Sequence, residues 1–202
     1  MKFISHRRNT IDELKATPHE YGVEVDIRSD QGKLVIHHDP FAKGDDFEEW
    51  IKHYRHGTLI LNVKEEGLEA RLIGLMKQHQ IDDYFFLDQS FPFLIKWSKL
   101  GEHHCAVRVS EFESIETALT LAGKIDWVWV DCFTQFPLSG DQAKRLQDAG
   151  FKLCLVSPEL QGRPAESAIP ELTKLLNERH IAADDYFQGM FTTALDEGEF
   201  VT

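Results

Sequence analysis

Two histidines, an arginine and two acidic residues within the first 40 residues have the chemistry needed to cleave a phosphoester. His6 and Arg7 end one short apolar segment, Glu24 and Asp26 lie within a second, and His38 ends a third. One imidazole could act as base and the other as acid on either side of a phosphorus atom. The carboxylates are ligands that a hard divalent cation prefers, and the guanidinium suits phosphate oxygens.

Glu24 and Asp26 are two positions apart in a β-rich segment, so their side chains point to the same face of the strand. On the inner face of a parallel barrel, the two carboxylates would repel each other unless a cation or a proton lay between them. Oxygen ligands favour Mg²⁺ or Ca²⁺ over zinc. The alternative is that this face of the strand is exposed and both acids are simply hydrated.

Short β-rich runs alternate with amphipathic helical stretches along the chain. Predicted strands cover residues 3–6, 23–27 with a partner at 34–37, 59–63, 84–87, 105–109, 127–130, 153–156 and 187–191. Predicted helices cover residues 11–15, 47–54, 68–80, 93–100, 115–122, 140–149 and 170–180, the last beginning at Pro170. This alternation favours an α/β fold, a TIM-type (β/α)8 barrel with functional residues at the carboxyl ends of its strands.

The chain of 202 residues is short for that fold, and we expect a single barrel domain over residues 1–202. About ten residues follow the last predicted strand, so we expect the last helix to be reduced or missing. A homo-oligomer, in which a partner subunit covers that side of the barrel, is the arrangement we consider.

Composition and charge argue against several classes of protein. The net charge of −12 repels a phosphate backbone, so we expect no nucleic-acid partner. No apolar run approaches the roughly 18 residues of a membrane span, and the amino terminus lacks the apolar core of a signal peptide. We therefore expect no membrane span and a cytoplasmic location. Three cysteines without metal-binding spacing are expected to stay reduced.

Polar and aromatic residues also mark the later strands. Arg108 and Asp131 could form a structural ion pair or bind the substrate, with Arg108 on its phosphate, and the sequence does not separate these alternatives. Trp127 and Trp129 share one strand face. Tryptophans at this spacing more often pack against helices than form an apolar wall for a glycerol or sugar group.

Five motifs in chain order resemble those of the glycerophosphodiester phosphodiesterase family, within the phosphatidylinositol phospholipase C-like phosphodiesterase superfamily. They are Ile-Ser-His-Arg (4–7), Val-Glu-Val-Asp (23–26), Val-Ile-His-His-Asp-Pro (35–40), Leu-Asn-Val-Lys (61–64) and Gln-Ser-Phe (89–91). The resemblance covers roughly the first 90 residues and implies the same barrel.

The resemblance also implies a role for each matching residue. It makes His6 and His38 the general acid and base, and Arg7 and Lys64 the ligands of the phosphate oxygens. It makes Glu24 and Asp26 ligands of a divalent cation. In the family, a hydroxyl next to the ester attacks phosphorus to give a cyclic phosphate, which water then opens. From the residues alone, Arg7 and Lys64 could equally pair with the nearby acids.

The chain departs from the family pattern in four places, one of which is the absence of the tryptophan expected near the end of the seventh strand, at 156–159. Arg8 replaces the usual glycine, which would narrow the turn beside the metal. Asn62 stands where the third strand of the family carries an acidic metal ligand. An amide oxygen can coordinate but brings no charge, so we expect weaker metal binding unless Glu65 or Glu66 compensates. The family's insertion after the second strand is nearly absent, since residues 39–46 lead straight into a helix.

The sequence therefore predicts a phosphoric diester hydrolase that depends on Mg²⁺ or Ca²⁺. Its substrate would be a glycerophosphodiester or a related small, possibly sugar-linked, phosphodiester. Two alternatives remain open. A non-catalytic relative that binds a phosphorylated ligand is suggested by Asn62 and the missing insertion. A metal-dependent sugar isomerase would use Glu24, Asp26 and a histidine.

Overall fold

The computed structural model describes residues 2–181 and the backbone of residues 187–191. The chain divides into two compact units. The amino-terminal unit is Ile4–Leu100, and the carboxy-terminal unit comprises residues 2–3 with those from Gly101 onward. Among the described residues, no helix is both long and apolar enough to cross a lipid bilayer.

The amino-terminal unit contains a parallel sheet extended by a hairpin. Its strands are β1 (Lys2–Ser5, of which Ile4 and Ser5 belong to this unit), β2 (Gly22–Asp30), β3 (Lys33–Ile36), β4 (Asp45–Asp46), β5 (Leu59–Val63) and β6 (Tyr84–Leu87). Its helices are α1 (Ile11–Ala16), α2 (Phe47–Trp50), which continues as a 3-10 turn (Ile51–His53), α3 (Glu69–His79) and α4 (Phe91–Lys99).

The parallel strands of this unit are paired in the order β1, β2, β5, β6. Asp26 of β2 lies opposite Asn62 of β5, and Asn62 lies opposite Leu87 of β6. Because the strands are parallel, their carboxyl ends, where most of the motif residues stand, share one edge of the sheet.

Strand β2 is long because its last residues form a hairpin with β3. The antiparallel pairing returns Ile36 to a position opposite Ile27. The next residue, His37, donates its backbone N–H to the carbonyl of Asp26 at 3.0 Å. The hairpin thus brings residues 37 and 38 back to the level of the acidic pair.

Side-chain caps fix where the short helices of this unit begin. Thr10 and Glu13 form a reciprocal capping box at the start of α1, which ends the loop that follows β1. The carboxylate of Asp46 accepts hydrogen bonds from two backbone N–H groups at the start of α2. Residues 39–46 therefore lead directly into α2, as the sequence predicted.

The carboxy-terminal unit repeats the same alternation. Its strands β7 (Ala106–Val109), β8 (Trp127–Val130), β9 (Lys152–Val156) and β10 (Phe187–Phe191) are parallel in that order, and its helices are α5 (Ile115–Leu119), α6 (Gly140–Asp148) and α7 (Ala165–Glu178). Trp127 and Trp129 are only 2% and 4% exposed, which supports a packing role. The three cysteines are free and buried.

All eight strands predicted for the barrel are present, four in each unit. The prediction that Pro170 begins a helix is wrong: α7 starts at Ala165 and Pro170 lies inside it. Pro164 occupies the cap position, and its carbonyl accepts the N–H of Ala168, so a first turn forms ahead of Pro170. Barrel closure and a single domain concern both units together and stay predictions. The reduced last helix would follow residue 191 and lies outside the described residues.

Candidate active site

Glu24 and Asp26 point inward from β2, and each residue is 0% exposed. The alternative of a hydrated, exposed acidic face is therefore wrong. Burial, together with the nearby charge of Asp26, raises the pKa of Glu24 to about 7. A raised pKa is expected where two carboxylates repel each other in one enclosed site.

The turn after β1 wraps around Glu24. The backbone N–H of Arg7 donates to Oε2 of Glu24 at 2.8 Å, and the backbone N–H of Arg8 donates to the Glu24 carbonyl at 2.8 Å. Arg7 adopts the left-handed conformation, with φ of 52°. On the other side, Nδ2 of Asn62 donates to Oε1 of Glu24 at 2.9 Å, and Nε2 of His6 lies 3.9 Å from Oε2.

Asp26 is held by a residue that the motif comparison did not single out. Asn9 donates from Nδ2 to Oδ2 of Asp26 at 2.8 Å, and its Oδ1 accepts the backbone N–H of Asp26 at 3.0 Å. Nζ of Lys64 lies 3.1 Å from Oδ1 of Asp26, and Nε of Arg7 lies 3.8 Å from Oδ2. The only sequence signal for Asn9 is its position, directly before Thr10, the cap of α1.

His6 is the more enclosed of the two candidate proton-transfer groups. Its side chain is 21% exposed. Burial, and then the charge of Arg7, lowers the pKa of His6 to about 4, so the imidazole is neutral near pH 7. Asp26, Lys64 and His38 also lie close enough to act on this pKa. A neutral imidazole beside two cationic groups is suited to accept a proton.

His38 is more open to solvent, with a side chain that is 41% exposed. Its Nδ1 bonds to Oδ1 of Asp39 at 2.9 Å, and this hydrogen bond lowers the pKa of the Asp39 carboxyl. Arg28 donates from Nη2 to the His38 carbonyl at 2.8 Å. The backbone and ring of His38 are therefore both oriented by neighbours. His37, by contrast, uses its Nδ1 to accept the backbone N–H of Asp39.

Lys64 links the acidic pair to the end of β6. Besides its contact with Asp26, its Nζ lies 3.7 Å from Oδ2 of Asp88. The side chain of Lys64 is only 15% exposed. The ammonium group is thus fixed between two carboxylates at the edge where the strands end.

The sequence left open whether Glu65 or Glu66 compensates for Asn62, and the described residues show other partners for both acids. Glu65 accepts the backbone N–H of Ser29, and Glu66 accepts the hydroxyl of Ser90. Both carboxylates are engaged away from Asn62, because the chain turns out of the sheet after Lys64.

The oxygens of Glu24, Asp26 and Asn62 form a donor set of the kind that a hard cation binds. Among the described residues, Oδ1 of Asp26 and Oδ1 of Asn62 are buried without a hydrogen-bond donor, although Lys64 forms an ion pair with the former. The buried Oδ1 of Asn62, which accepts no hydrogen bond, lies beside two buried carboxylates, and this combination fits a cation. The described residues contain no group of three or more His, Cys, Asp or Glu placed to hold a metal. The set therefore fits a divalent ion held by two carboxylates and one amide.

Arg108 lies in the carboxy-terminal unit, where its Nη1 is 3.5 Å from Oδ2 of Asp131. Nε2 of Gln161 donates to Oδ1 of the same carboxylate at 2.7 Å. The geometry of this unit supports the ion pair that the sequence allowed. Phosphate binding by Arg108 stays a prediction.

No model of a known protein family matches the chain, and no curated protein sequence matches it. Several solved structures, however, are similar to it. A glycerophosphodiester phosphodiesterase from Agrobacterium tumefaciens has a TM-score of 0.60 at 13% identity, covering 95% of each chain. A glycerophosphoryl diester phosphodiesterase from Parabacteroides distasonis has a TM-score of 0.62 at 11% identity, covering 94% of this chain and 82% of its own.

A third structure, a putative glycerophosphodiester phosphodiesterase from Galdieria sulphuraria, has a TM-score of 0.66 at 15% identity and covers 95% of this chain and 93% of its own. Identities this low establish the fold alone. The chain therefore shares the TIM-type α/β fold of solved glycerophosphodiester phosphodiesterases.

Proposed function

We propose that the chain is a divergent glycerophosphodiester phosphodiesterase that hydrolyses a glycerophosphodiester or a related small phosphodiester, for example a sugar-linked one. The observation that carries the proposal is the set of groups that the amino-terminal unit gathers at one edge of its sheet: His6, His38, Arg7, Lys64, Glu24 and Asp26. The shared fold supports the same activity. The cytoplasmic location and the homo-oligomer stay predictions.

Arg7 and Lys64 are the groups that bind the substrate phosphate. Both are cationic, both lie beside Asp26, and Arg7 keeps 46% of its side chain exposed. Phosphate oxygens can accept hydrogen bonds from the remaining N–H groups of Arg7 and Lys64, because both side chains face the space around the acidic pair. A divalent cation, Mg²⁺ or Ca²⁺, held by oxygens of Glu24, Asp26 and Asn62, would neutralise charge on the same phosphate.

The two imidazoles would divide the proton transfers. Neutral His6 removes the proton from the hydroxyl next to the ester, and that oxygen bonds to phosphorus as the bond to the alcohol breaks. His38 gives a proton to the departing alcohol oxygen. In the second step the roles reverse: water attacks the cyclic phosphate, loses its proton to His38, and His6 returns a proton to the ring oxygen. Each histidine ends in its starting state.

The test is hydrolysis of a panel of phosphodiesters with Mg²⁺, with Ca²⁺ and with a chelator. His6→Ala and His38→Ala should each lower turnover by at least about a hundredfold. His37→Ala is the matched control, because it removes a neighbouring imidazole that bonds only to its own loop, and its turnover should stay within a few-fold of wild type. Near-normal turnover in either of the first two variants would reject the assignment.

A non-catalytic relative that binds a phosphorylated ligand is the second candidate. Asn62 favours it, because its amide donates to Glu24 where a third carboxylate would strengthen metal binding. Saturable binding of glycerol phosphate without turnover of any diester would select this candidate. The three solved neighbours are all phosphodiesterases by name, which leaves the sugar isomerase without support from them.

A further inference from the structure

Arg28 is a cation at the carboxyl edge of the amino-terminal sheet, and it lies outside the family-like motifs. It follows Asp26 by two positions on β2, and because side chains alternate along a strand, it shares the face of Glu24 and Asp26. Strand β5 ends opposite Ile27, so Arg28 lies just past the parallel part of the sheet. Glu24 and Asp26 are fully buried, whereas Arg28 is half-buried. The guanidinium therefore lies at the open end of the face that carries the acidic pair.

Main-chain carbonyls hold one edge of the Arg28 guanidinium. Its Nε donates to the carbonyl oxygens of His37 and His38, each at 3.2 Å, and its Nη2 donates to the His38 carbonyl at 2.8 Å. The other terminal nitrogen, Nη1, makes no hydrogen bond to a described residue, and no described carboxylate forms an ion pair with Arg28. The hairpin thus orients the guanidinium and leaves some of its N–H donors available to a ligand.

The surroundings of Arg28 differ from those of the other two cations at this edge. Arg7 and Lys64, which are proposed to bind the substrate phosphate, both contact Asp26, and Lys64 also lies close to Asp88. Arg28 contacts only neutral carbonyls, so no acid balances its positive charge. A guanidinium that is oriented but not paired is suited to bind a second anionic group.

His38 indicates which part of the substrate lies next to Arg28. His38 is the proposed proton donor to the departing alcohol, and its carbonyl accepts hydrogen bonds from both Nε and Nη2 of Arg28. The departing alcohol is therefore the part of the substrate that comes close to the guanidinium.

We propose that Arg28 binds an anionic substituent of the departing alcohol, so that the substrate is a phosphodiester whose alcohol carries a carboxylate or a phosphomonoester. The net charge of −12 disfavours such a substrate at long range, so a preference for it requires a local cation such as Arg28. This inference rests on the proposed function and narrows it.

The first test compares kcat/KM within two pairs of diesters that differ only in the anionic group. Glycerophosphoserine and glycerophosphoethanolamine differ by a carboxylate, and glycerophosphoglycerol with and without a terminal phosphate differs by a phosphomonoester. The wild type should prefer the more anionic member of at least one pair by about tenfold or more, and that pair identifies the anion. Arg28→Gln should remove the preference, mainly by raising KM for the more anionic member.

Arg55→Gln is the matched control. Arg55 precedes β5 and so lies at the amino ends of the parallel strands, where its Nη1 donates to the Tyr54 carbonyl. The variant removes the same charge from the same unit and should leave both kcat/KM ratios unchanged. A wild type without preference in either pair would overturn the inference. An Arg28→Gln protein in which kcat falls equally for all four diesters, with unchanged ratios, would also overturn it, because Arg28 would then only support His38.

A second measurement separates this inference from the proposed function. The probes are phosphomonoesters, titrated by calorimetry into the wild type: O-phosphoserine against phosphoethanolamine, and glycerol bisphosphate against glycerol phosphate. Binding of the more anionic probe that is about tenfold tighter, and is no longer so in Arg28→Gln, supports the inference even if no diester is hydrolysed. Hydrolysis of the diesters together with equal probe binding within both pairs would preserve the proposed function and reject the role of Arg28.

Discussion

Replacement of Asn9 by alanine should damage the site more than any other change outside the motif residues. Asn9 makes two hydrogen bonds to Asp26, one to its carboxylate at 2.8 Å and one from its backbone N–H at 3.0 Å. A hydrogen bond to a buried carboxylate is worth about 1.5–3 kcal/mol, and a buried N–H left unpaired costs about 1–3 kcal/mol. Asn9→Ala should therefore lower the free energy of unfolding by about 3 kcal/mol or more.

Urea unfolding at neutral pH measures this loss, and turnover of a phosphodiester should fall by about 10–100-fold because Asp26 is no longer held in place. Asn177→Ala, at an exposed position on α7, is the matched control and should change unfolding by less than about 0.5 kcal/mol. An Asn9→Ala protein as stable and as active as wild type would show that Asp26 needs no such support.

Three further outcomes follow from the charges of the two units. Because the folded-state pKa of Glu24 is raised from 4.5 to about 7, the folded protein binds more protons than the unfolded chain in that window, and the wild type loses stability as pH rises through it. With chelator present, the free energy of unfolding of Glu24→Gln relative to wild type should increase as pH rises from 4.5 to about 7, measured by urea unfolding. A difference between the two proteins that stays constant over this range would refute the raised pKa. Asn62→Glu should raise Ca²⁺ affinity by at least about tenfold in calorimetry, since a third carboxylate adds ligand charge; unchanged affinity would mean that position 62 is no ligand. In the carboxy-terminal unit, partial burial opposes ionisation of Glu111, but hydrogen bonds from the backbone N–H groups of Gln135 and Thr134 outweigh it and lower the pKa of Glu111 to about 2. Glu111→Gln should speed amide hydrogen exchange at residues 133–135, and equal rates would show that the loop is held by other contacts.

Apolar runs were enough to locate the strands, because a strand buried on both faces is a short continuous run of Val, Ile, Leu and Phe. They also indicated that Glu24 and Asp26 share one face of a strand, and the burial of both residues shows that this face is the inner one. The start of α7 was missed because residues 165–169 carry little apolar periodicity, whereas Pro170 resembles a helix start.

The contacts around the acidic pair could not be derived from the sequence. The role of Asn9 depends on how the turn after β1 folds back over β2, and no spacing rule encodes that path. Glu65 and Glu66 looked available to assist Asn62, but their direction is set by the turn that follows Lys64. Local pattern therefore located Glu24, Asp26 and Lys64 on or just after neighbouring strands, and tertiary contacts decided which of their atoms meet.

The central claim is that His6 and His38 flank one phosphate that Arg7 and Lys64 bind. A crystal structure of the protein with glycerol phosphate and a divalent ion tests it most directly. The account predicts phosphate oxygens within about 3 Å of a ring nitrogen of each histidine and of the Lys64 ammonium. A phosphate bound elsewhere, or histidine rings on different sides of the sheet edge with no shared ligand, would contradict it.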